Sequence, residues 1–167
     1  MPTIPGITPP SATFAFPTIP FSGTKLEALT KSLIDARVRY GLGAKAVPLT
    51  LEAGQFSAID CSGFVRWCFY HGADIKVPEG SAVQHEWFAE HGFKHSDVQA
   101  ASLEDDILRI AFLAPHDSIE HIGHVLFVLN GKCYESHGST GPDNRRAWMS
   151  KPVWMSKMHV YVVDTPG

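Results

Sequence analysis

The chain has little cysteine, little net charge and no long apolar run, and each shortage removes a class of protein. Cys61, Cys68 and Cys133 are the three cysteines, an odd and sparse set that argues against a disulfide framework. A Cys61–Cys68 bridge also fails on reach, because seven helical positions rise about 10.5 Å, beyond what a disulfide spans. The formal net charge of −3 offers no electrostatic footing for nucleic acid or an anionic membrane. No apolar stretch approaches the roughly 20 residues of a membrane span. The first residues, Met1-Pro2-Thr3-Ile4-Pro5-Gly6, lack the basic and apolar regions of a secretory signal, so the expectation is a protein made in the cytoplasm without one. Internal repeats and low-complexity tracts are also missing.

What is present fits a soluble domain. Hydrophobic residues make up 44% and charged residues 19% of the 167, which is ordinary for one globular unit with a single core. Nine histidines supply material for acid–base or metal chemistry. Residues 1–23 hold six of the twelve prolines and no charge, so they cannot be helix. Their apolar members, including Phe16, Ile19 and Phe21, predict an extended arm lying on the domain; a disordered leader is the alternative. Residues 24–167 are expected to form one domain.

Apolar spacing predicts a helix from Thr24 to Arg39, with Thr24 and Glu27 as a capping box and Tyr40-Gly41 as its end. A second helix starts at Cys61 and stops at Gly72. A third runs from Ser81, as cap, to His91. Strands follow at Leu108–Leu113, Ile122–Leu129, Lys132–His137 and Met158–Val163. Helices first and strands later predict an α+β fold.

The run Asp60-Cys61-Ser62-Gly63-Phe64 is the most informative stretch. Asp60 or Ser62 can cap the helix, and Cys61 would then lie in its first turn. There the helix dipole and free N–H groups stabilise a thiolate. On this stretch alone, a nucleophile and a buried core cysteine are both open. The Asn130-Gly131 hairpin supplies a partner. If it is a two-residue loop, His124 lies opposite His137, on one face of the sheet. One ring can then act as base while the other fixes its tautomer. Glu135 shares that face and is the rival orienter. The pattern predicts thiol acyl transfer: Cys61 attacks a carbonyl, His124 handles the proton, His137 orients His124, and the Cys61 N–H stabilises the oxyanion. Zinc held by His121, His124, Cys133 and His137 is disfavoured, because strand residues three apart point to opposite faces. No metal and no cofactor is expected. The remaining histidines read as surface residues.

Together, Asp60-Cys61-Ser62-Gly63-Phe64-Val65, the later Gly123-His124-Val125 and His137-Gly138-Ser139 resemble the NlpC-type cell-wall cysteine peptidases, over roughly residues 24–163. The resemblance implies a reduced papain-like α+β fold and hydrolysis of peptidoglycan stem peptides, usually between D-glutamate and the diamino acid. It makes Cys61 the nucleophile, His124 the base and His137 the third polar residue. Tyr40 resembles a tyrosine lining the substrate cleft, and Asp60 and Ser62 resemble residues that hold the amino end of the substrate. The Pro78–Gln84 segment also matches in type. The usual Gly-Asp-Leu strand before the base is missing, and the segment between Tyr40 and Cys61 is longer than usual. The run from Ile110 to Val125 is also similar to amidase effectors of type VI secretion, and phage lysins share the lack of a signal peptide. An effector would have a cognate immunity protein as partner. The alternatives are another thiol acyl-transfer enzyme on the same scaffold or a non-catalytic wall-binding module.

Overall fold

The computed structural model describes residues 16–118, 120–138 and 140–166. Three helices come first: α1 (Gly23–Asp35), α2 (Cys61–Ala73) and α3 (Ser81–Glu90). The strands are β1 (His95–Ser96), β2 (Leu108–Leu113), β3 (His124–Leu129), β4 (Lys132–His137), β5 (Gly141–Asp143) and β6 (His159–Asp164), with a short helix α4 (Pro152–Met155) before the last. They form one sheet in the order β1-β6-β2-β3-β4-β5, antiparallel at every pairing. The fold is therefore α+β.

Two cores lie on the two faces of this sheet. Val125, Phe127, Leu129 and Phe112 face the helices and pack with Phe64, Phe69, Leu26 and Phe88. Leu126, Val128, Ala111 and Leu113 face the other way, under Trp148, Met155 and Met158. β2 sits between β3 and β6 and is buried along its whole length. Even Arg109 is buried there, satisfied by Asp105 (2.8 and 3.1 Å) and Ser96 Oγ (2.9 Å).

The helix ends depart from the expected ones, and each departure has a local cause. α1 is capped by Ser22, whose Oγ accepts from Lys25 N at 3.2 Å, so the cap lies two residues before Thr24. It ends at Asp35 because Arg37 takes a left-handed φ of 58°; Val38 is buried but lies beyond the helix. α3 begins at Ser81 without a side-chain cap. Gly72 does not stop α2. It lies inside the helix, where a Cβ would come within 2.3 Å of Phe21 Cε1, and the left-handed Asp74 closes the helix instead.

Of the proline-rich arm, residues 1–15 lie outside the described residues. The rest is part of the domain. Ile19 and Phe21 are fully buried, Ile19 N donates to Val163 O at 2.9 Å and Phe21 N to Asp164 Oδ2 at 3.0 Å. The core thus begins before residue 24. Several histidines read as surface residues are also drawn in. His71 Nε2 lies 2.8 Å from Leu49 O. His85 is half-buried, stacked on Phe112 and beside His159.

Next to its turn the hairpin has the expected register, over three pairs that stop short of His124 and His137. Asn130 and Gly131 both have positive φ (51° and 77°), as a type I′ turn requires. Leu129, Val128 and Phe127 face Lys132, Cys133 and Tyr134.

Candidate active site

Cys61 is the first residue of α2, and Asp60 is its N-cap. Asp60 Oδ1 accepts from Gly63 N at 2.7 Å, which fixes the turn that carries the sulfur. A second segment is stitched to this point. Arg39 bridges Ala58 in parallel, and Asp60 N donates to Ala44 O at 2.9 Å. Gly43 N donates to Asp60 Oδ2 at 3.2 Å. The loop from Tyr40 to Lys45 is thereby wrapped around the start of α2.

His124 opens β3, after Gly123. That glycine has φ 74°, and a Cβ there would lie 3.0 Å from Leu113 O, so a larger residue would push the strand away from its partner. His124 Nε2 is 2.7 Å from Glu135 Oε1, which leaves Nδ1 as the ring nitrogen available to the sulfur. Burial pushes the His124 pKa down, but hydrogen bonding and charge contact with Cys61 and Glu135 outweigh it and raise it to about 9. The nucleophile and base candidates therefore act on one another electrostatically, from elements 63 residues apart in sequence.

Glu135 occupies the orienting place that the sequence pattern assigned to His137, with Glu135 as rival. It is fully buried. Arg146 grips it as a fork, with Nε 3.0 Å from Oε2 and Nη2 on Oε1. Burial raises its pKa, but the His124 hydrogen bond and the charges of His124 and Arg146 bring it below the ordinary value. Glu135 is thus an anion held for His124. His137 lies nearby with other partners: Asp143 Oδ2 at 3.0 Å and Thr140 Oγ1 at 3.1 Å.

Trp154 of α4 covers this group. Its ring lies 5.7 Å from the His124 ring, and the Arg146 guanidinium stands 4.6 Å over it. Beside them is a cleft of about 370 Å³, walled by Tyr40, Glu120, His124, His137, Lys151 and Trp154 among others. Tyr40 belongs to the same neighbourhood: burial first, then the negative charges at Cys61, Asp60 and Glu120, raise its pKa.

Asp60 and Ser62 are brought beside Cys61, but they are 5% and 4% exposed and already engaged. Lys45 Nζ contacts Asp60 Oδ2 and lies 2.8 Å from Ser62 Oγ, and Ser62 Oγ is 3.3 Å from Asp60 Oδ1. The other two cysteines do not compete for the nucleophile's role. Burial raises the Cys68 thiol well above its usual range and pushes Cys133 up to about 12, with the Glu135 charge adding to it. A protonated Cys133 is a poor zinc ligand. Among the described residues, the group able to surround a metal is instead Glu135, His137 and Asp143, in which Arg146 already neutralises Glu135.

Arg146, Trp154 and Lys45 escaped the sequence reading. None carries a local motif, and each reaches the site only through tertiary placement. Glu135 was visible by strand parity alone. No family model matches this chain, and comparison with curated proteins gives no match either.

Proposed function

We propose that this chain is a cysteine peptidase or amidase that hydrolyses amide bonds in peptidoglycan stem peptides, on a reduced papain-like fold. The observation that carries the reading is the relay Cys61–His124–Glu135 at the head of a helix, beside an open cleft. Nucleophile, base and orienter are recognised together, and little in packing alone asks for all three.

The proposed chemistry runs as a thiol acyl transfer. The Cys61 thiolate attacks the scissile carbonyl carbon, and the carbonyl oxygen takes the negative charge. The Cys61 N–H at the start of α2 is the candidate donor to that oxygen. The His124 imidazolium then gives its proton to the leaving amine, and the C–N bond breaks to leave a thioester on Cys61. Water, deprotonated by His124, attacks the thioester and expels the Cys61 thiolate, which restores the thiolate–imidazolium pair; the released acid gives its proton to the freed amine. Glu135 holds the ring and stabilises its charged form throughout.

The substrate assignment rests on the NlpC resemblance, with the D-glutamyl–diamino acid bond as the candidate. An effector role would imply a cognate immunity protein as partner. Digestion of purified peptidoglycan with mass analysis of the fragments tests this reading, because the new amino terminus names the bond. Release of no stem peptide would redirect the search to another amide. Cys61→Ala is expected to abolish turnover while leaving the melting curve in place; full activity in that variant ends the thiol mechanism.

A further inference from the structure

We propose that Lys45 is a specificity determinant. Its ammonium fills an amine-binding cradle beside Cys61 and directs the enzyme to substrates whose nitrogen at that subsite is acylated. The inference rests on the hydrolase reading above and adds to it the form of the substrate.

The cradle is Asp60 Oδ2 and Ser62 Oγ, and both contact Lys45 Nζ. A carboxylate and a hydroxyl converging on one nitrogen suit a primary ammonium, and here the chain supplies the ammonium itself. The two cradle residues flank Cys61 directly. The Lys45 backbone is anchored by its neighbours: Gly43 N donates to Asp60 Oδ2, and Ala44 O accepts from Asp60 N. The lysine is the more accessible partner of the pair, with its side chain 19% exposed against 7% for Asp60. Tyr40, on the cleft wall, senses the charges of both Cys61 and Asp60. Cradle, nucleophile and cleft form one neighbourhood.

A carboxylate already paired has no charge left for a second ammonium. A substrate bringing a free α-amine to this end of the cleft would shed water, meet the Lys45 charge and find no anion. An acylated nitrogen is neutral and carries no such penalty. Removing the Lys45 side chain takes the cation from Asp60 Oδ2, on which the neutral Gly43 N–H remains, and leaves a buried charge in need of a cation, which the amine of a substrate can supply.

Two stem peptides that differ only in carrying a free or an acetylated amino end test this directly. The wild type is expected to favour the acetylated peptide by 10-fold or more in kcat/KM, on the order of one rejected charge. Lys45→Ala is expected to shift that ratio toward the free amine by about 10-fold or more on the same basis, and Lys45→Arg to keep the wild-type preference. A wild type that prefers the free amine, or a Lys45→Ala ratio equal to the wild-type one, overturns the proposal. The wild-type ratio decides without any variant folding. A second readout is independent of turnover: methylammonium chloride, compared with equal sodium chloride, should raise the melting temperature of Lys45→Ala and leave the wild type unmoved. An equal response in both overturns the cradle. If neither peptide is cut while methylammonium still stabilises only the variant, the hydrolase reading fails and the cradle stands.

Discussion

His124 is pulled two ways, and the outcome sets how activity should follow pH. Burial alone would hold its ring neutral, whereas the Cys61 and Glu135 contacts raise it to about 9. The competent thiolate–imidazolium pair should therefore be lost as pH rises through about 9, and activity should fall along that limb. Glu135→Gln keeps the shape and removes the charge, so the limb should move to lower pH. The expected loss in kcat/KM is roughly 10- to 100-fold, below the 10²–10⁴-fold of the proton transfer itself. A pH–rate profile of that variant with an unmoved limb would remove Glu135 from the relay. His137→Ala should leave the limb in place, since the acceptor at 2.7 Å on Nε2 is Glu135. Strand parity had put both residues on the His124 face. What separates them is Arg146, which arrives after β5 and clamps Glu135 where His124 can reach it. No local pattern foretells that contact.

At the level of elements, α2 does two jobs: its first residue carries the sulfur and its eighth to twelfth turn the core. Gly72 shows how tightly the second job is specified. In an exposed helix Gly→Ala stabilises by roughly 0.5–1 kcal/mol. Here the new Cβ would meet Phe21 at 2.3 and 2.5 Å, so Gly72→Ala is expected to destabilise by about 1–3 kcal/mol net, the usual cost of overpacking. Urea melts check the sign. Sequence pattern found α2, β2 and the β3–β4 turn because apolar period and Asn130-Gly131 are local signals. It misplaced the ends of α1 and α2 because Ser22 Oγ, two residues before Thr24, caps α1 and the left-handed Asp74, two residues past Gly72, closes α2. A glycine near a helix end looks like a stop in sequence; only the ring of Phe21, 51 residues away, reveals it as a contact.

For the whole molecule, pH acts through a second histidine group, formed by His85 of α3 with His95 and His159 of the strands beside it. Burial, then the neighbouring His159 and His95, lower the pKa of His85, whose Nε2 lies 3.1 Å from Tyr161 Oη. The folded state thus binds a proton less readily here than the unfolded chain. Its contribution is present above the unfolded value of 6.5 and is lost as pH falls below it. His124 has the opposite sign: its contribution is full below 6.5 and is lost as pH rises through about 9. Melting temperatures measured between pH 5 and 6, below the range in which His124 loses its contribution, should fall toward acid, and His85→Gln should flatten that slope. An unchanged slope would show that the cluster is not the source.

The two outermost strands of the sheet are β1, of two residues, and β5, of three. β5 also contains Pro142, which has no N–H to offer. Long bare edges invite a neighbouring chain to add its own strand, and this sheet presents almost none. The consequence concerns handling rather than chemistry: the protein can be crowded or concentrated with little tendency to join sheet to sheet, and its longest strands stay inside the molecule.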